Sequence, residues 1–260
     1  MDISGRTALV TGASSGLGVD FARELAHRGA HVVLVARREE RLEMVADEIR
    51  RDHGVVATPL ALDLGEADAP ARLHAMLAER GTGVDLLINN AGFGVFGDAL
   101  DIDWERENAM LQLDIVNLVR MSKLFARDMT ARGFGAVLQV ASTGAYQPSP
   151  GYASYAAAKS FVLSYGYALD HELRGTGVSC TVVSPGVTAT EFLAVSGQEK
   201  TWFHKLTMME SADVARIGID ALLARRGSVV PGWLNKLACQ SHRLNPRVLS
   251  TAIAHWAMRN

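Results

Sequence analysis

Three side chains in the middle of the chain have the types and spacing for acid–base chemistry at a carbonyl group. Tyr155 and Lys159 flank Ala156-Ala157-Ala158, within a stretch from Tyr152 to Leu173 that reads as one helix. Residues four apart on a helix share a face, one turn above the other, so the phenol and the ammonium point the same way. Ser142 ends the apolar run Ala136-Val137-Leu138-Gln139-Val140-Ala141, which reads as a buried strand. A hydroxyl at a strand end, with a phenol–amine pair on a helix face, can orient a carbonyl oxygen and supply its proton. A Tyr-x-x-x-Lys pair alone is more often a core phenol and a solvated lysine, so the surrounding elements carry the argument.

The elements that would position these groups alternate between strand and helix. Thr7-Ala8-Leu9-Val10 reads as a first strand, followed at once by Thr11-Gly12-Ala13-Ser14-Ser15-Gly16-Leu17-Gly18. After that turn, Leu17, Phe21 and Leu25 fall at helical spacing, with Gly29 as a stop signal. A glycine-rich turn between a buried strand and a helix start binds phosphate, because free backbone N–H groups and the positive helix end face the anion. His31 to Ala36 reads as the second strand. Where an NAD-binding chain places a carboxylate for the ribose 2′-hydroxyl, about 20 residues after the turn, this chain has Ala36-Arg37-Arg38. Guanidinium groups there suit a 2′-phosphate, which favours NADP over NAD.

The alternation continues. Leu42, Val45, Ala46 and Ile49 mark a helix ended by Gly54. Val55 to Leu62 reads as a third strand running into Asp63-Leu64, where Asp63 can bond an adenine amine or its own turn amides. A helix around Leu73, Met76 and Leu77 precedes a fourth strand, Val84 to Ile88, which leads into Asn89-Asn90-Ala91-Gly92. The asparagines can tie neighbouring strands together there. Phe93 to Gly97 reads as a wall of a substrate pocket. A long helix runs from about Trp104 to Arg132. The sixth strand, Val178 to Val183, ends in Ser184-Pro185-Gly186. Residues 191–207, with Phe192, Trp202 and Phe203, read as a lid. A helix over Val214 to Ala224 and a short strand at Ser228 to Val230 follow.

This order predicts an α/β fold: one domain over residues 1–232, with a seven-stranded parallel sheet, doubly wound in Rossmann fashion and covered by helices on both faces. Residues 233–260 form a helical C-terminal extension in which Lys236, Arg243, Arg247 and Arg259 stand among apolar residues. Packing on the body or on a partner subunit is favoured for it over a peripheral membrane contact.

Composition narrows the function classes. The 260 residues are 48% hydrophobic and 21% charged, with net charge -2, which is globular and argues against a nucleic-acid partner. The first residues lack a signal-peptide core, and no apolar run reaches a membrane span. Cys180 and Cys239 make neither a disulfide framework nor a metal motif. The expectation is a cytoplasmic, metal-free, soluble protein.

With these motifs in order, the chain resembles a short-chain dehydrogenase/reductase of the compact single-domain branch. The resemblance rests on Thr11 to Gly18, on Asn89 to Gly92, on Ser142 with Tyr155 and Lys159, and on Pro185-Gly186 followed by Thr188 and Thr190. It covers about residues 5 to 232. It implies NAD(P)-dependent hydride transfer in a homodimer or homotetramer built on the two long helices; with Arg37 and the lid aromatics, the expected reaction is between NADP(H) and a carbonyl or secondary alcohol of a moderately apolar small molecule. Gly12, Ser14, Ser15, Gly16, Leu17, Gly18, Arg37, Arg38, Asp63, Leu64, Asn90, Ala91, Gly92, Pro185, Gly186, Val187, Thr188 and Thr190 would hold the cofactor, together with Tyr155 and Lys159. Ser142 would orient the substrate oxygen, Tyr155 would give the proton, and Lys159 would lower the phenol's pKa from ~10.

The long helix departs from the family pattern. An Asn that holds a water beside the Lys is usual there; counting back from Ser122-Lys123, the position is Asp114, with Asn117 three residues on. Asp114 is taken as the site residue and Asn117 as the alternative. Two other readings are an NADP-binding sensor or scaffold without turnover, and a different Rossmann-type enzyme such as a methyltransferase, which Arg37 and the Tyr–Lys pair disfavour.

Overall fold

The computed structural model describes residues 1–189, 191–198, 208–241 and 246–258. Seven strands form one parallel sheet in the order β3-β2-β1-β4-β5-β6-β7. They are β1 (Thr7–Thr11), β2 (His31–Ala36), β3 (Ala57–Ala61), β4 (Leu86–Asn89), β5 (Gly135–Val140), β6 (Val178–Val183) and β7 (Ser228–Val229). The central strands are apolar almost throughout: Leu9, Val10, Leu86, Leu87, Ile88, Val137 and Leu138 are fully buried. Such continuous apolar strands must be covered on both sides.

One face is covered by α1 (Gly16–His27), α2 (Glu39–His53) and α8 (Ser211–Leu223), through Phe21, Leu25, Leu42, Ile49 and Ile219. The other is covered by α3 (Ala69–Glu79) and α5 (Leu118–Arg132), through Leu73, Leu77, Phe125 and Met129, with α6 (Ala153–Glu172) packed on β6 beside them. The chain winds outward from β1 to β3, then returns to β4 on the other side of β1. A sheet of this kind opens a crevice at the carboxyl ends of the strands where the winding reverses.

The long helix expected from Trp104 to Arg132 is three segments. α4 (Trp104–Leu111) leads through a π-helical turn, Gln112–Asn117, into α5. A π turn inserts an extra residue into the helical repeat and occurs often at functional sites. Here it buries both Asp114 and Asn117, which a regular 3.6-residue period does not signal. Within the stretch read as a lid, α7 (Phe192–Ser196) is helical; residues 199–207 and Thr190 lie outside the described residues. Residues 233–258 contain α9 (Trp233–Ser241) and α10 (Arg247–Met258).

Candidate active site

A cleft of about 810 Å³ lies at the carboxyl edge of the sheet. One wall is the glycine turn. Gly12 and Gly16 have φ of +68° and +51°, the left-handed region that glycine enters without strain. A side chain on Gly18 would overlap the Gly12 carbonyl oxygen, and one on Gly12 would come within 2.9 Å of Asn90 Nδ2. The turn is therefore held close to Asn90. Asn90 Nδ2 donates to the Thr11 carbonyl at 2.9 Å, and Thr11 Oγ1 accepts from the backbone N–H groups of Asn90 and Ala91, both at 2.9 Å. This network welds β1 to β4 and opens the turn's amides toward the cleft. No side chain caps α1 at Ser15, so the helix start keeps free N–H groups for an anion.

Beneath the cleft, Asn89 Nδ2 donates to Ser122 Oγ at 3.0 Å and to Gln139 Oε1 at 3.1 Å, while Gln139 Nε2 donates to Ser122 Oγ at 2.7 Å. Ser122 Oγ in turn donates to the Leu118 carbonyl at 2.8 Å. Every polar group in this buried set has a partner, which keeps the floor rigid. The expectation that the paired asparagines join the strands is met by different bonds for each residue.

The other wall carries the groups expected from the sequence to do acid–base work. Ser142, Tyr155 and Lys159 all line the cleft. Ser142 accepts from the Gly144 N–H at 3.1 Å, and its hydroxyl is close enough to the Tyr155 phenol to pull that group's pKa down. The Lys159 Nζ lies 5.5 Å from the centre of the Tyr155 ring and donates to the Val140 carbonyl at 3.3 Å. Lys159 is only 5% exposed and Asp114 is fully buried, with Nζ 2.9 Å from Asp114 Oδ2. The two groups form a buried ion pair through Oδ2. Asp114 Oδ1 accepts from the Phe93 N–H at 3.2 Å.

Gly92 packs against this carboxylate: a Cβ there would lie 2.8 Å from Asp114 Oδ1. Asn117 does something else. Its Nδ2 donates to the carbonyls of Leu64 at 2.6 Å and Glu66 at 3.0 Å, tying the π turn to the loop after β3.

Burial and charge set the protonation states. Burial would push Lys159 down, but Asp114 and Tyr155 outweigh it and hold the ammonium above its usual pKa. Burial drives Asp114 up against the pull of Lys159 and of the Phe93 N–H. Burial also raises Tyr155; Lys159 and the Ser142 hydroxyl pull it down, and the Asp114 charge pushes it up again, leaving a net rise. The expectation that Lys159 lowers the phenol's pKa thus names a real influence that two others exceed. An Asn at 114 would have left the lysine's field uncompensated; a carboxylate cancels part of it.

The cofactor-side residues read from the sequence also line the cleft: Ser14, Ser15, Leu17, Arg37, Arg38, Asp63, Leu64, Ala91, Pro185, Gly186, Val187 and Thr188. Asp63 Oδ1 accepts from its own turn amide at Gly65, at 2.9 Å, while its Oδ2 lies 3.9 Å from Arg37 Nη1. Arg38 reaches Ser14 Oγ at 3.3 Å and Glu191 Oε2 at 3.5 Å. Thr188 Oγ1 donates to the Gly186 carbonyl at 3.1 Å.

Sequence reasoning missed part of the substrate side. Tyr152 touches the rings of Phe96 and Tyr155, with centres 5.1 and 5.6 Å apart, and Phe192 meets Tyr155 at 5.4 Å with the rings tilted by 47°. The Tyr152 hydroxyl meets Ser196 Oγ at 2.7 Å, and Arg106 donates to the Val195 carbonyl at 2.5 Å. Gly94 leaves the space, since a Cβ there would lie 2.8 Å from Phe192 Cζ. The only signal for Tyr152 was its place one helical turn before Tyr155.

The chain belongs to the short-chain dehydrogenase family: the family model described as "short chain dehydrogenase" matches residues 6–201. An uncharacterized oxidoreductase of Myxococcus xanthus is 32% identical over 97% of this chain and 98% of its own. A short-chain dehydrogenase from Sphingobium yanoikuyae, solved in complex with NADPH, superposes with a TM-score of 0.82 at 29% identity, covering 92% of this chain and 94% of that one. A Burkholderia phymatum family member in complex with NAD has the same TM-score at 23% identity, covering 92% and 93%, and shares the fold. The protein is thus an oxidoreductase of a family that uses a nicotinamide cofactor and small-molecule substrates.

Proposed function

We propose that this protein transfers hydride between NADP(H) and a carbonyl or secondary alcohol of a moderately apolar small molecule, with Tyr155 as the acid–base group. The observation that carries the reading is the cleft itself. A phenol beside Ser142 and flanked by a buried ammonium stands on one wall, and a glycine turn fit for an anion on the other.

The residues fit a pyridine dinucleotide. The uncapped start of α1 and the side-chain-free Gly12, Gly16 and Gly18 would take the pyrophosphate. Arg37 and Arg38 would take a 2′-phosphate, with Asp63 and Leu64 beside the adenine; this supports NADP over NAD. Asn90, Ala91 and Gly92, with Lys159, would face the nicotinamide ribose, and Pro185 to Thr188 the carboxamide; Thr190 is assigned from the motif alone. When bound, the cofactor supplies or accepts the hydride.

The chain's own residues do the rest. Ser142 holds the substrate oxygen. Tyr155, a phenol whose pKa burial holds above its ordinary value, donates the proton to the carbonyl oxygen on reduction and takes it back on oxidation. Lys159 stays charged and steadies the phenolate that remains. The Asp114 carboxylate beside Lys159 would hold a water that returns the proton from solvent. Tyr152 and Phe192 enclose the apolar part of the substrate and exclude water. Exposed Phe161 and Tyr167 on α6 support a homodimer through the long helices.

The test is a panel of ketones and secondary alcohols assayed with NADPH and NADP. Tyr155→Phe should lower turnover by about 10³-fold and leave NADPH binding nearly unchanged, because the proton donor is removed while the ring and the other cofactor-holding residues stay in place. Wild-type rates from Tyr155→Phe on a genuine substrate would defeat the assignment.

A further inference from the structure

Helix α10 is inside out. Its stripe against the body is Ser250 and Ala254, both buried, while Leu249, Ile253 and Trp256, at helical positions i, i+4 and i+7, face outward at 50%, 47% and 65% exposure. Val248 is 83% exposed beside them. Helix α9 repeats the pattern: Asn235 and Cys239 are buried, and Trp233 and Leu237 stand open. A helix that packs only on its own domain shows the opposite arrangement, and a contiguous exposed apolar face marks an interaction surface.

Charge says what covers it. The chain as a whole carries -2, yet residues 233–260 hold four basic residues and no acidic one. Lys236 and Arg247 are exposed on the same two helices. Bulky apolar residues, outward tryptophans and an acid-free basic background are the features of helices that lie in a lipid interface. No described helix is long and apolar enough to cross a membrane, so the arrangement suits lying on a surface.

We propose that the outward faces of α9 and α10 dock on an anionic lipid bilayer. The buried side of α9 fits this placement. Asn235 packs against Gly186, where a Cβ would come within 2.5 Å of its amide, and α9 touches the turn at Thr143–Tyr146. Helix α9 therefore braces the cleft wall where Thr143 and Gly186 line it. The inference is independent of the hydride-transfer reading.

The experiment is co-sedimentation of the full chain with vesicles of phosphatidylcholine alone and of phosphatidylcholine mixed with phosphatidylglycerol. Binding to the mixed vesicles should be roughly tenfold tighter and should weaken as salt is added. The double variant Leu249→Glu with Ile253→Glu should stay in the supernatant with an unchanged thermal melt by circular dichroism. Lys236→Glu with Arg247→Glu, confined to exposed side chains, should abolish the preference for the anionic vesicles and serves where the first variant misfolds. Wild-type protein that ignores both vesicle types would overturn the proposal. So would an oligomer in sedimentation velocity that the double glutamate variant splits, with no vesicle binding, since the face would then join copies of this chain.

Discussion

Helices α6 and α10 depart from the usual rule of polar outside and apolar inside, in opposite senses. Helix α6 takes a charge inward: Lys159 is buried together with Ala156, Ala158 and Val162. Helix α10 turns bulk outward, with Leu249, Ile253 and Trp256 exposed and Ser250 and Ala254 within. The first departure is balanced inside the chain, because Asp114 stands 2.9 Å from the ammonium. The second leaves Leu249 and Ile253 about half exposed. A buried charge needs a partner to be tolerated, whereas an exposed apolar face persists at little cost until something covers it. The difference separates a charge that is balanced within the fold from an apolar face left toward solvent.

The comparison is broken most severely at α6. After the loss of turnover in Tyr155→Phe, the next largest effect is expected from Lys159→Met, which leaves a carboxylate buried without its cation. Urea unfolding should show a loss of about 3 kcal/mol, with Asp114 taking up a proton to limit it. Adding Asp114→Leu should recover most of that stability without activity, since an apolar pair of similar volume removes the uncompensated charge.

Smaller effects sharpen the contrast. Asn117→Ala should cost about 1–3 kcal/mol in the same unfolding experiment, by stranding the carbonyls of Leu64 and Glu66, while the pH profile stays put. Asp114→Asn acts on the profile instead. The carboxylate's charge helps hold the Tyr155 pKa up. In the alcohol-oxidising direction the rate rises as the phenol ionises, so removing that charge should move the rise to lower pH. A shift to higher pH in a rate–pH series would contradict the arrangement. At α10, Ile253→Glu should change stability by only about 0.5 kcal/mol or less, because the side chain already faces solvent; a large loss would mean that the face is buried in the protein's own assembly.

The choice between Asp114 and Asn117 shows where sequence reasoning stops. They lie three apart, and counting along a regular helix left both in play. The π turn buries both yet sends them to different neighbours, Asp114 to Lys159 and Asn117 to the loop after β3. The inserted residue is a property of backbone hydrogen bonding that side-chain periodicity does not carry. The aromatic wall was half legible for a similar reason. Phe93 to Gly97 stood out as a loop, but the meeting of Tyr152 with Phe96 and of Tyr155 with Phe192 depends on α7 folding back over the cleft.

By itself the sequence determined the alternation of strand and helix, the glycine turn after β1, the paired asparagines after β4 and the shared face of Tyr155 and Lys159. All of these are set within a few residues, by backbone sterics, apolar runs or helical spacing. The tertiary structure decided the partner of Lys159, the net rise of the Tyr155 pKa and the inverted facing of α9 and α10. Each of those depends on burial and on charges brought together from distant parts of the chain, and these exist only once the sheet has closed and the helices have packed on it.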